Sequence, residues 1–211
     1  MSVRVPRGGR VLFIGDSITD ADRDRADGAD LGCGYAMMAA AWFTAAHPAH
    51  RVTFLNRGIG GDRARDLRAR WDTDCLALAP QVVSVLIGIN DTWRRYDSDD
   101  PTGVEEFERD YRHVLTATRE RLDAALVLVE PFLIPLDDRQ RLWREDLDPK
   151  VAVVRRLAAD FDATLVAVDA AFADADDRVW TDDGGHLTPS GHALLAQHWL
   201  RAVVPDTAPS D

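Results

Sequence analysis

Short apolar runs alternate along the chain with longer stretches in which apolar positions recur every three to four residues. The short runs are rich in Val, Ile and Leu and are bounded by Gly, Asn, Asp or Pro, a pattern typical of buried strands. The five predicted strands cover residues 11–14, 52–55, 82–87, 125–129 and 164–168.

The longer stretches predict helices, because their apolar positions fall on one helical face. Two of them carry start signals, since Asp148 and Thr188 each place a capping side chain before a proline in the first turn. The five predicted helices cover residues 35–46, 62–78, 104–122, about 149–161, and 189–204.

The alternation of strands and helices predicts an α/β fold, in which a five-stranded parallel sheet is covered by helices on both faces. No repeat or low-complexity linker divides the sequence, so a single domain over residues 1–211 is expected. Ligands of such sheets bind beyond the carboxyl ends of the strands. The residues that follow each predicted strand are therefore the first candidates for chemistry.

The composition narrows the choice of partner and compartment. Of the 211 residues, 46% are hydrophobic and 29% are charged, which is typical of a globular protein. The net charge of −11 disfavours nucleic acid and anionic membranes as partners. The longest apolar runs are too short for a membrane span or a signal peptide, so a cytoplasmic location is expected. Cys33 and Cys75 are expected to be reduced packing thiols rather than nucleophiles or a disulfide.

Small and polar residues follow the first two predicted strands. Gly15-Asp16-Ser17 places a serine on a turn at the ligand edge, although Asp16 or Ser17 alone is as compatible with a strand end or a turn cap. Gly58, Gly60 and Gly61 leave bare backbone amides near the same edge, unless they form only a flexible turn. They lack the spacing of a phosphate-binding loop, which disfavours a nucleotide site.

Two further candidate groups come later in the chain. Asn90 follows the third strand, where its amide is either a donor into the cleft or a helix cap. Asp183 and His186 lie three residues apart in a glycine-rich loop, so the carboxylate can bond Nδ1 of the ring and leave Nε2 free as a base. Together with Ser17, these residues supply the nucleophile, oriented base and oxyanion donors that acyl transfer needs.

In order and spacing, these residues resemble the GDSL or SGNH hydrolase superfamily. The resemblance implies a flavodoxin-like three-layer α/β/α fold without a metal or organic cofactor. It implies that Ser17 is the nucleophile, that His186 is the general base and then acid, and that Asp183 orients His186. It also implies an oxyanion hole made of the Ser17 and Gly58 backbone N–H groups and the Asn90 side chain. The family often has proline where Leu187 stands here, and Asp182 is the alternative orienting residue.

A narrower resemblance suggests the substrate. Residues 88–94 (Gly-Ile-Asn-Asp-Thr-Trp-Arg) and 130–132 (Glu-Pro-Phe) are similar to GDSL-type acetylxylan esterases and related carbohydrate acetylesterases. The resemblance implies a small-molecule ester substrate, such as acetyl groups on xylo-oligosaccharides. Asp16, Trp93 and Trp180 are the expected substrate contacts, although packing roles explain the tryptophans, including Trp143, equally well.

Several alternatives stay open at this stage. The same residues fit a general short-chain carboxylesterase, a thioesterase or a lipase-like GDSL hydrolase. A non-catalytic carbohydrate-binding module is weaker, because binding does not need the complete catalytic set. A metal-dependent hydrolase would use Asp16, Asp91, Asp183 and His186.

The oligomeric state is open, and aromatic loops are compatible with a homo-oligomer. The remaining histidines show no metal-ligand spacing, and structural roles are expected for them: His47, His50, His113, His192 and His198.

Overall fold

The computed structural model describes residues 2–172 and 177–206. Its strands are β1 (Val3–Val5), β2 (Arg10–Gly15), β3 (Thr53–Gly58), β4 (Val82–Leu86), β5 (Ala125–Val129), β6 (Thr164–Val166) and β7 (Val203–Pro205). Its helices are α1 (Ser17–Asp20), α2 (Tyr35–Ala46), α3 (Ala64–Asp74), α4 (Ile89–Asp97), α5 (Val104–Arg121), α6 (Asp138–Arg141), α7 (Arg144–Asp160), α8 (Asp177–Trp180) and α9 (Pro189–Ala202).

The central sheet has five parallel strands in the order β3-β2-β4-β5-β6. Counted from the first central strand, this is the 2-1-3-4-5 order of flavodoxin-like folds. Strands β1 and β7 form a separate two-stranded parallel pair. The predicted α/β fold with a five-stranded parallel sheet is therefore confirmed.

Alternate side chains of each central strand enter opposite cores. Val11 and Phe13 of β2 pack on one face, in a cluster that includes residues of α2 and α9. Leu12 and Ile14 pack on the other face, with residues of α3, α5 and α7. A strand that is buried on both faces needs apolar residues at every position, which explains the short uninterrupted apolar runs.

Several elements differ from the sequence-based expectation. The helix expected to start near Pro149 begins five residues earlier, at Arg144, and Pro149 lies inside it. Arg144 is held there by two hydrogen bonds to the carboxylate of Asp169. The two residues are far apart in sequence, so the local residue pattern does not predict this contact. The segment after β4 forms the helix α4, which is not among the five predicted helices. The last helix stops at Ala202 because the chain continues as β7.

The topology places β2 and β4 side by side, with Gly15 opposite both Gly58 of β3 and Leu86 of β4. The order of the strands reverses at this point, and the carboxyl ends of β2 and β4 flank the resulting crevice. None of the helices in the described ranges is long and apolar enough to cross a membrane.

Candidate active site

Ser17 lies just beyond the carboxyl end of β2, where it begins the one-turn helix α1. Asp16 caps this turn, since its Oδ1 atom accepts the N–H of Ile18 at 3.0 Å. Gly15 allows the end of β2 to pack closely against β4. A Cβ at this position would lie 2.1 Å from the carbonyl oxygen of Leu86. Ser17 is thereby presented at the crevice, and its own N–H group has no partner among the residues described.

Ser17, His186 and Asp183 form a continuous line of hydrogen bonds. Oγ of Ser17 lies 3.0 Å from Nε2 of His186. Nδ1 of the same ring lies 2.6 Å from Oδ2 of Asp183. The predicted pairing of Asp183 with His186 is therefore present. The arrangement puts an imidazole between a hydroxyl and a carboxylate, as nucleophilic catalysis by serine requires.

The backbone of the loop also binds Asp183. Its Oδ1 atom accepts the N–H groups of Gly185 at 2.9 Å and His186 at 2.8 Å. Burial acts to raise the pKa of Asp183, but the hydrogen bonds from the His186 ring and from the two N–H groups outweigh it and lower this pKa. Asp183 is therefore held as a carboxylate, while its neighbour Asp182 is exposed.

Two side chains, Thr181 within it and Gln140 from α6, fix the loop from 181 to 187. The hydroxyl of Thr181 donates to the carbonyl oxygen of His186 at 2.6 Å and accepts the N–H of Gly184 at 2.9 Å. Gln140, in α6, donates to the carbonyl oxygen of Asp183 at 2.7 Å and accepts the N–H of Leu136 at 2.8 Å. These contacts tie the Asp183 end of the loop to the segment that follows β5.

The side chain of Trp93, in α4, packs against the same loop. A Cβ at Gly185 would lie 2.3 Å from Cζ3 of the Trp93 ring, so only glycine fits there. The Trp93 ring lies 5.9 Å from the His186 ring and 5.3 Å from the Trp143 ring, measured between centroids. Trp93 is thus placed beside the base, and its predicted contact with substrate stays a prediction.

Asn90 is the third group at the crevice. It lies in the first turn of α4, directly after β4, and its Nδ2 atom donates to the carbonyl oxygen of Asp62 at 3.1 Å. An amide nitrogen carries two hydrogens, so one donor of Asn90 is still available after this contact. The side chain is nearly buried, which holds it in a fixed orientation.

The expected role of Gly58 needs correction. Its N–H group donates to Oδ1 of Asn56 at 2.8 Å, so this donor is already used within β3. Gly60, whose Cβ would lie 3.7 Å from Cβ of Ser17, also has its N–H occupied, by Oδ2 of Asp20 at 3.0 Å. Gly61 follows, with a positive φ of 88°, and within the described ranges its N–H has no partner.

Asp16 is not placed to bind substrate, contrary to the expectation. It is fully buried, as is Asp91, and each has one carboxylate oxygen without a partner among the described residues. Burial raises the pKa of Asp16 to about 7 and that of Asp91 to about 7. Both acids lie beneath the site, where Asp16 caps α1 and Asp91 accepts the N–H of Ala64 at 3.2 Å.

Trp180 is not among the residues that line the cavity beside Ser17. Its ring lies 6.4 Å from the Phe172 ring, and its carbonyl oxygen accepts the N–H of Thr188 at 2.9 Å. These contacts give Trp180 a packing role beneath the loop, one of the two roles its sequence position allowed. Its predicted contact with substrate receives no support from this position.

A cavity of about 370 Å³ opens beside Ser17. Its volume lies within the usual range for small-molecule sites and exceeds what an acetyl group fills. Polar and apolar side chains share its wall, among them Ile18, Asp20, Cys33, Leu187 and His192. In the part of the chain that is described, no group of three or more His, Cys, Asp or Glu side chains is placed to hold a metal ion.

Sequence reasoning missed two residues at this site. Gln140 lies in a four-residue helix, and no motif marks a glutamine that bonds a loop 43 residues away. His192 was expected to be structural, yet it lines the cavity together with Ser17 and His186. His192 lies in α9, five residues past the end of the loop, and it reaches the site because α9 packs against α2.

Comparison with known proteins agrees with this geometry. A protein-family model described as the GDSL-like Lipase/Acylhydrolase family matches residues 13–194, a range that contains Ser17, Asn90, Asp183 and His186. The chain belongs to the GDSL-like lipase/acylhydrolase family. This GDSL hydrolase is a carboxylic ester hydrolase, and it acts on small-molecule esters.

Relatives of this GDSL hydrolase include the acetylxylan esterase of Geobacillus stearothermophilus. That protein is 32% identical over 213 residues, which cover 95% of this chain and 96% of the relative. The crystal structure of Axe2, an acetylxylan esterase from the same organism, has a TM-score of 0.87 at 33% identity and covers 96% of each chain.

A second solved structure, LAE5, is an alpha/beta hydrolase enzyme from the metagenome of Lake Arreo in Spain. Its TM-score is 0.86 at 31% identity, with 93% of this GDSL hydrolase and 95% of LAE5 covered. Other Axe2 structures are described as an acetyl-xylooligosaccharide esterase, and as catalytic mutants with alanine in place of a serine or of a histidine.

Proposed function

We propose that this GDSL hydrolase removes acetyl groups from xylo-oligosaccharides through an acetyl-enzyme on Ser17. The observation that carries the proposal is the line of hydrogen bonds from Ser17 through His186 to Asp183, with lengths of 3.0 and 2.6 Å. A serine hydroxyl is a weak nucleophile at neutral pH. A neighbouring imidazole whose tautomer is fixed by a carboxylate activates it.

In the proposed first step, Nε2 of His186 takes the hydroxyl proton while Oγ of Ser17 bonds to the acetyl carbonyl carbon. The electron pair of the carbonyl bond moves to its oxygen and gives a tetrahedral oxyanion. Its collapse breaks the bond to the sugar oxygen, which leaves with the proton from His186. Water then attacks the acetyl-enzyme by the same sequence and releases acetate and free Ser17.

Three donors are proposed to hold the oxyanion: the N–H groups of Ser17 and Gly61 and the unused hydrogen of Asn90 Nδ2. Gly61 replaces Gly58 in this role, because the Gly58 N–H is bonded to Asn56. The position of Gly61 supports the replacement, since the residue before it adjoins Ser17 and the residue after it bonds Asn90. Such preorganised donors stabilise charge that develops only in the transition state.

The substrate class rests on the cavity and the relatives. The cavity beside Ser17 has room for a sugar residue in addition to the acetyl group. Its wall carries several polar side chains, which suit hydroxyl groups better than a long acyl chain. Several relatives that cover nearly the whole chain are described as acetylxylan or acetyl-xylooligosaccharide esterases. A cytoplasmic location, a single domain and a homo-oligomer stay predictions.

Acetate release separates this proposal from its alternatives. The enzyme is offered acetylated xylo-oligosaccharides, p-nitrophenyl acetate, p-nitrophenyl octanoate and an acetyl thioester, with Ser17→Ala as the control. We expect acetate from the sugar and from p-nitrophenyl acetate, little cleavage of octanoate, and no turnover by the variant. Cleavage of model esters alone would refute the sugar substrate, and turnover by Ser17→Ala would refute the nucleophile.

A further inference from the structure

His192 lines the cavity beside Ser17 and His186, and the catalytic steps above do not use it. It lies in the first turns of α9, four residues after Thr188, whose side chain caps that helix. The ring is half-buried, and Gly34 packs against its Cε1 edge, where a Cβ would lie only 2.9 Å away. The ring is therefore fixed in place at the wall of the cavity.

One nitrogen of His192 has an assigned task. Its Nδ1 atom accepts the backbone N–H of Tyr35 at 3.2 Å, and Tyr35 is the first residue of α2. The N–H groups of a first helical turn have no partner within the helix, and Gly34, which precedes α2, has no side chain to cap it. Nδ1 must be unprotonated to accept this bond, so the neutral ring carries its hydrogen on Nε2.

The other nitrogen is open to the cavity. Nε2 has no hydrogen-bond partner within residues 2–172 and 177–206. It is not fully buried either, since the buried side-chain atoms without a partner do not include it. Burial of the ring and, to a smaller extent, the nearby His186 together lower the pKa of His192 to about 4. The ring is thus a neutral hydrogen-bond donor at neutral pH.

We infer that His192 is a substrate-binding residue, whose Nε2–H group donates to a hydroxyl or ring oxygen of the sugar in the cavity beside Ser17. This inference rests on the proposed function and adds the residue that distinguishes a sugar ester from a simple ester. A neutral donor suits an uncharged carbohydrate. It also avoids placing a second positive charge next to His186 when that ring takes the serine proton.

Two substitutions separate the two nitrogens. In His192→Asn the amide oxygen occupies the place of Nδ1, so the bond to Tyr35 is kept and the Nε2 donor is lost. In His192→Gln the amide nitrogen reaches the place of Nε2, so the donor is kept and the bond to Tyr35 is lost. The comparison therefore distinguishes substrate binding from support of α2.

The experiment measures kcat and KM on acetylated xylo-oligosaccharide and on p-nitrophenyl acetate for both variants. We expect His192→Asn to lose about tenfold in kcat/KM on the sugar ester, mainly through KM, which is the factor one hydrogen bond supplies. Its kcat/KM on p-nitrophenyl acetate stays within about twofold, because that ester has no sugar hydroxyls. His192→Gln retains most of its activity on the sugar ester.

Other outcomes overturn the inference in distinguishable ways. Equal losses on both esters by His192→Asn would make the residue a structural support. An unchanged sugar ester activity would show that the donor is not used. A wild-type enzyme that releases no acetate from the sugar would overturn the proposed function as well.

A second measurement does not depend on folding of the variants. In wild-type protein with ¹⁵N-labelled histidine, we expect deacetylated xylo-oligosaccharide to shift the Nε2 signal of His192 and leave that of the exposed His113 unchanged. An unmoved His192 signal at a saturating concentration of the sugar would contradict the assignment.

Discussion

Gly185 and Trp93 are in direct contact, so that a Cβ at Gly185 would lie 2.3 Å from Cζ3 of the tryptophan ring. The ring cannot move aside easily, because it packs against Trp143, which is itself buried. The position of the catalytic histidine loop is therefore set by a residue that follows β4, more than 90 positions earlier in the sequence.

Gly185→Ala is expected to push this loop away from Trp93 and lower kcat on p-nitrophenyl acetate by about ten- to a hundredfold. A displacement of about 1 Å at a catalytic group is enough for a loss of that size. The matched control is Gly28→Ala, where the added Cβ would meet only the end of Arg57 at 3.6 Å. A Gly185→Ala enzyme as active as this control would show that the contact does not position His186.

Asp183 is expected to be the orienting carboxylate, and Asp182 is its natural control. Asp183→Asn removes the negative charge that stabilises protonated His186 and favours the wrong tautomer, so kcat should fall by about 10³- to 10⁴-fold. Asp182→Asn changes an exposed neighbour and should leave kcat nearly unchanged. Steady-state kinetics on p-nitrophenyl acetate decide the matter, and a larger loss in Asp182→Asn would reverse the assignment.

Asn90 is expected to act on the transition state alone. Asn90→Ala removes one oxyanion donor and should lower kcat by about 10²- to 10³-fold with little change in KM. Asn90→Asp replaces the donor by a carboxylate that repels the oxyanion, so its kcat should be lower still. An alanine variant that keeps a third or more of the wild-type kcat would exclude Asn90 from the oxyanion hole.

The central site residues could be predicted from the sequence because each follows a strand whose apolar run is clear. Ser17 and Asn90 come directly after β2 and β4, and parallel strands bring their carboxyl ends to one edge. The pairing of Asp183 with His186 is local in sequence. These relationships depend on strand direction and short spacing, both of which the residue pattern contains.

Other contacts could not be predicted, because they join distant segments. The bond from Gln140 to the carbonyl of Asp183 and the bond from Tyr35 to His192 follow from how helices pack. The expected role of Gly58 was wrong because three nearby glycines look alike in sequence. Only the acceptors for Gly58 and Gly60, Asn56 and Asp20, reveal which N–H groups are already occupied.

Asp91 leads to a prediction about stability and pH. Burial raises its pKa from 3.8 to about 7, so the folded protein keeps a proton that the unfolded chain releases between about pH 4 and pH 7. The free energy of unfolding of the wild type therefore loses this contribution as the pH rises through that window. Asp91→Asn has no such proton, while its amide oxygen still accepts the N–H of Ala64.

Urea unfolding of wild type and Asp91→Asn at about pH 5 and about pH 8 measures this effect. The variant should gain stability relative to the wild type by a few kcal/mol between the two values, since one pKa unit corresponds to about 1.4 kcal/mol. The difference between the proteins cancels groups that titrate alike in both. A difference that does not change with pH would show that Asp91 is ionised throughout.

Covalent labelling by a fluorophosphonate tests most directly that Ser17 is a nucleophile activated by His186. The reagent reacts only with an activated hydroxyl, and intact-mass spectrometry followed by peptide mapping locates it. We predict one adduct on the wild-type protein, on the peptide that contains Ser17, no adduct on Ser17→Ala, and much slower labelling of His186→Ala. An adduct on another residue, or labelling of His186→Ala at the wild-type rate, would contradict this account.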